Sequence, residues 1–132
     1  MIRSAICIPF ALSALVSESL SVTGAEAPAA EESEFFETSV RPLLVEHCYS
    51  CHSEDAAGKG KLKAGLRLDS LAGLLAGGDS GPALVPGDAG ASRLIEAVGY
   101  RNEDMAMPPK GKLDARQIAA LTKWVEMGAP WP

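Results

Sequence analysis

The residues best suited to chemistry are Cys48, Cys51 and His52, in the run Cys48-Tyr49-Ser50-Cys51-His52. Two thiols at this spacing, at the end of a helix, can reach the two vinyl groups on one edge of a haem and form thioethers. The residue after the second cysteine then lies beneath the porphyrin plane, where an imidazole can bind iron. The pattern C-x-x-C-H therefore supplies covalent attachment and one axial ligand together. Competing chemistries ask for different company. A thioredoxin-like redox pair needs a strand–helix–strand setting and has no use for His52. A zinc site would have to close around His47, Cys48, Cys51 and His52, four donors crowded into six positions, with no second Cys or His pair elsewhere. A plain disulfide between the two cysteines is the blandest alternative.

The sixth iron position needs another donor. His47, the one histidine besides His52, immediately precedes Cys48 and is badly placed to reach the opposite face. Methionine thioether is the usual partner of histidine in electron-transfer haems and raises the reduction potential. After the motif the candidates are Met105, Met107 and Met127. Met127 falls at the end of the last helix and suits packing. Met107 precedes Pro108-Pro109, which fix the backbone and can hold an extended loop against a haem with little entropy to lose. Met107 is thus the expected ligand and Met105 the alternative, with pocket lining as the role of either if it does not bind.

These side chains must be positioned by short helices. Ser33 to His47 has Phe36, Val40, Leu43, Leu44 and His47 at helical spacing. Pro42 either kinks that helix or opens a second short one. Glu54 to Gly65 reads as a polar, Gly- and Lys-rich loop, and Gly65 to Asp69 as a short strand. Ser70 to Leu75 fits one or two helical turns stopped by Gly77-Gly78, and 77–90 is turn chemistry. Ser92 to Tyr100 reads as a helix presenting Leu94, Ile95 and Val98, and 101–112 as a second irregular loop. The last helix is the best signalled. Asp114 and Gln117 fit a capping box, Leu113 and Ile118 a staple, and Gly128 with Pro130 a stop. Its buried face is Ile118, Leu121, Trp124 and Val125.

The whole chain has 132 residues, 47% hydrophobic and 5% aromatic, with a formal charge of −5. That length supports one compact domain. The acidic balance argues against a nucleic-acid or polybasic membrane-surface binder. Met1 to Ala27 reads as a secretory signal: Arg3, then the apolar run AICIPFALSALV, then Ala25-Glu26-Ala27 as an A-x-A cleavage site. The apolar run is too short for a membrane span and carries Pro9. Cleavage would remove Cys7 and leave Cys48 and Cys51 as the only thiols. Residues 28–33 read as a flexible tether, and residues 34–132 as the domain. Export to the periplasm or cell envelope agrees with c-type haem, which is attached outside the cytoplasm. So small a chain with few aromatics has a thin core of its own, consistent with a haem in its middle.

The segments FFETSVRPLLVEHCYSCH (35–52), GLRLDS (65–70), GGDSGPALVPG (77–87), AVGYRNEDMAMPPKGKLD (97–114) and WVEMGAPWP (124–132) together resemble the planctomycete-type cytochrome c domain. The resemblance implies one covalent haem c at Cys48 and Cys51, with His52 as one axial ligand and Met107, of the Met-Pro-Pro string, as the other. It also implies a cytochrome-c-like all-α fold of three to four short helices with long loops, the first and last helices crossing near the haem. In this family the module usually opens a much longer polypeptide. The chain is therefore either a free-standing small cytochrome or the front piece of something larger.

The expected function is single-electron transfer through a His/Met-ligated haem, without an independent catalytic site. Leu66, Leu94, Ile118, Leu121 and Trp124 are expected to exclude water from it, and a carbonyl of the 78–90 loop to orient His52. Lys110 and Lys112, with Lys59, Lys61, Lys63 and Arg67, could steer an acidic redox partner, although solvated loop charge is the plainer reading. Two other classes compete. A five-coordinate haem would bind small ligands or reduce peroxide, and a haem module could serve a larger enzyme as an interaction domain.

Overall fold

The computed structural model describes residues 26–132. The expected signal peptide, 1–27, lies outside the described residues but for Glu26 and Ala27. The first helical rod has three parts: α1 (Glu26–Phe35), a π-helical turn (Phe36–Val40) and α2 (Arg41–His47). Then come α3 (Glu54–Gly58), α4 (Leu71–Ala76), α5 (Arg93–Val98), a 3-10 turn (Glu103–Met105) and α6 (Ala115–Glu126). The described residues hold no strand. The domain is all-α, as expected, with the rod counted as one of five helices.

Pro42 explains the π turn. It has no N–H, and in an unbroken α-helix its ring would collide with the carbonyl four residues back. The turn before it widens so that Arg41 N–H reaches Phe36 O, five residues away. Both expectations for Pro42 are thus met at once: the rod is perturbed, and Pro42 lies in the first turn of α2. Residues 28–33 are helical and form no tether. Ala29, Ala30, Glu31 and Glu32 are strong helix formers, and they extend a helix whose other end is fixed by fully buried Phe36 and Val40.

The polar segment after the motif also departs from expectation, because α3 occupies its first turn. Ser53 caps it, accepting from Ala56 N at 3.1 Å, and Glu54 and Asp55 lie where the helix dipole favours acids. The strand expected at 65–69 does not form. The segment has no regular structure, and it bonds to the Cys48–His52 turn through Leu68 N and His52 O.

The core joins the rod to α6. Phe36, Val40 and Leu44 are buried against Leu121, Trp124 and Val125, with Leu74, Leu84, Ile95 and Val98 closing the cluster. The Phe36 and Trp124 rings lie 5.7 Å apart, so the first and last helices do meet. The chain end folds back over this contact. The Trp131 ring lies tilted against Phe36, centroids 4.6 Å apart, and Trp124 Nε1 donates to Pro130 O at 2.9 Å. The capping box of α6 is complete: Asp114 accepts from Arg116 N and Gln117 N, and Gln117 Oε1 accepts from Asp114 N.

Candidate functional site

The last turn of α2 runs directly into the motif. Cys48 N and Tyr49 N both donate to Leu44 O, and His52 N donates to Cys48 O at 2.9 Å. The two cysteines therefore sit on one tight turn, both as free thiols. Ser53 locks that turn to α3, its hydroxyl donating to Tyr49 O at 2.6 Å. Burial pushes the Cys48 thiol up from 9.0 to about 11, so before any bond is made it is a neutral group in an apolar wall.

Residues 63–68 form a strap beside the turn. Lys63 N donates to Cys51 O at 3.0 Å and Leu68 N to His52 O at 2.9 Å. Between these ties, His52 Nδ1 lies 3.2 Å from Leu66 O. A carbonyl can only accept, so Nδ1 carries the proton and Nε2 is left with its lone pair. The orienting carbonyl is therefore Leu66, not one from the 78–90 loop. That loop acts one step back: Asp79 N donates to Ala64 O at 2.8 Å, fastening the strap.

Cys48, Cys51 and His52 line a cavity of about 740 Å³, within the usual range for small-molecule and cofactor sites. Leu66, Leu68, Ala83, Leu94, Ala97 and Val98 give it an apolar wall. Ile118, Leu121 and Trp124, expected beside the haem, do not line it; Leu121 and Trp124 are buried in the core and Ile118 packs against it. Met105 and Met107 both line the cavity, whereas Met127 does not. Met107 is 39% exposed. Its N–H donates to Ala97 O at 3.1 Å, and the next carbonyl, of Pro108, accepts from the Tyr100 hydroxyl. Sequence reasoning passed over Tyr100; the signal was a tyrosine just after a helix end and close before Met-Pro-Pro.

His47 also borders the cavity, but its Nε2 meets the Gln117 amide at 3.4 Å, where the amide donates and the ring accepts. Gln117 thus caps α6 with one end and holds His47 with the other. Among the described residues no three His, Cys, Asp or Glu side chains are grouped to hold a metal ion. The described residues around the two cysteines are helix and turn, unlike the strand–helix–strand setting of a thioredoxin-like pair.

Two free thiols, an imidazole with one nitrogen occupied by a carbonyl, and an apolar cavity with thioethers in its wall fit a haem joined through its vinyl groups. An all-α domain with this site is a c-type cytochrome domain. Residues 48–111 match the family model described as Planctomycete cytochrome C, and covalently bound haem c is the cofactor that family implies. No curated protein and no solved structure matches the chain.

Proposed function

We propose that the protein is an exported cytochrome that passes single electrons through one haem, held by Cys48 and Cys51 and ligated by His52 and Met107. The observation that carries this reading is the oriented His52 ring on the same cavity as both thiols and Met107. Haem bound here supplies a ferrous–ferric couple. The chain's own residues anchor it, exclude water and keep both ligands in place, so that little has to rearrange when the charge changes. Cys48 and Cys51 prevent loss of the cofactor. Leu66 O fixes the tautomer and tilt of His52. Leu68, Leu94 and Val98 favour the less charged state by keeping water away. Export agrees with the signal-like start, and no helix among the described residues is long and apolar enough to cross a membrane.

The partner in this reading is an acidic redox protein. Lys63, Arg93, Lys110 and Lys112 border the cavity, and none forms an ion pair among the described residues. Lys59 and Arg67 are neutralised by Asp55 and Glu54, so they leave the steering set. Reaction rates with an acidic partner should fall as salt rises; rates indifferent to salt would end this part of the proposal.

One observation favours a second reading. Met107 is partly exposed, and a thioether that left the iron would open a site for a small ligand or peroxide. The ferric far-red sulfur-to-iron band decides between them. Its presence, with slow carbon monoxide uptake by the ferrous form, supports electron transfer; its absence with fast uptake supports ligand binding.

A further inference from the structure

Tyr100 follows α5 with φ at +53°, the left-handed region that side chains other than Gly, Asn and Asp seldom occupy. Glycine would be the relaxed residue there. What tyrosine adds is reach: its hydroxyl donates to the carbonyl of Pro108, eight residues on. The segment it meets is short of backbone donors, since neither Pro108 nor Pro109 has an N–H. Ala97 O holds the other side, accepting both Tyr100 N and Met107 N at 3.1 Å. Met107 is thereby clamped between a backbone bond on its own nitrogen and a side-chain bond to the carbonyl after it. Among the described residues the only other bond to Pro108 O is a long one, from Gly111 N at 3.4 Å.

We propose that Tyr100 is a positioning residue that keeps the Met107 thioether at the haem iron, acting through the loop without touching the iron. The proposal rests on Met107 being the sixth ligand, and the test separates the two. Haem-loaded wild type, Tyr100→Phe, Tyr100→Gly and Met107→Ala are compared by the ferric far-red band, by carbon monoxide association to the ferrous form, and by denaturant unfolding. Met107→Ala should lose the band and bind carbon monoxide fast. Tyr100→Phe removes one oxygen, and Tyr100→Gly also relaxes the backbone. Each should weaken the band and speed carbon monoxide uptake by about three- to ten-fold, the weight of one hydrogen bond. A purely structural tyrosine would move the unfolding midpoint alone.

If wild type shows the band and either folded Tyr100 variant matches it in band and rate, the positioning role is wrong while Met107 stands. If wild type lacks the band, or Met107→Ala matches wild type, the ligand assignment fails and takes this proposal with it.

Discussion

The chemistry of the site depends on individual atoms, and each can be tested separately. In haem-free protein the Cys48 thiol is raised to about 11 by burial. Its thiolate fraction near neutral pH is therefore ~100-fold below that of an exposed thiol, and alkylation should be slower in proportion. Rates equal to those of the unfolded chain would show that the thiol is not buried. The same shift sets a stability window. Because the folded value is the higher, this group's contribution is intact below pH 9 and declines as pH rises toward about 11. Denaturant unfolding of haem-free protein at several pH values should show that decline. Gly78 is a second sensitive residue. A Cβ there would lie 2.1 Å from Ala64 O and 3.0 Å from Leu66 Cβ, so Gly78→Ala must push back the strap that carries the His52 acceptor. A loss of about 1–3 kcal/mol in denaturant unfolding is expected, and an unchanged midpoint would mean the strap yields freely.

At the level of elements, α6 is the piece most dependent on a local signal. Asp114→Ala removes the acceptor of two backbone N–H groups and should cost about 1 kcal/mol in denaturant unfolding; no loss would mean the cap is dispensable. This helix was readable in the sequence because Asp114, Gln117 and the apolar spacing all signal the same element. The motif turn was readable for a chemical reason, the need for two thiols and an imidazole in a fixed order. Helix α5 was readable through Leu94, Ile95 and Val98, all of which are buried. One of the misses depends on contacts distant in sequence. Leu66 and Leu68 alternate like a strand, and only the bonds from Lys63 and Leu68 to the motif turn show that the segment is a strap. The helical residues 28–33 read as a tether because their acidic, small composition hides good helix propensity. Helix α3 had its signal in Ser53-Glu54-Asp55, which the glycines and lysines after it obscured.

At the largest scale, the described residues surround a cavity of about 740 Å³. The rod, α6 and Trp131 meet in the core, and the core residues Leu68, Ala83, Leu94 and Val98 also line the cavity, beside the strap, α5 and the Met107 loop. Binding that fills such a space stabilises the folded form by mass action or, when covalent, permanently. Haem-free protein, made as the Cys48→Ala, Cys51→Ala double variant, should unfold at lower denaturant than the haem-loaded wild type and bind an apolar dye; equal midpoints would show that the cavity walls stand unaided. The central claim is that haem is joined to Cys48 and Cys51, and intact mass spectrometry of protein from cells with haem-attachment machinery tests it most directly. The account predicts a chain heavier by one haem, with the added mass retained after acid–acetone extraction and absent from the double variant. A wild-type chain at its bare polypeptide mass would contradict it.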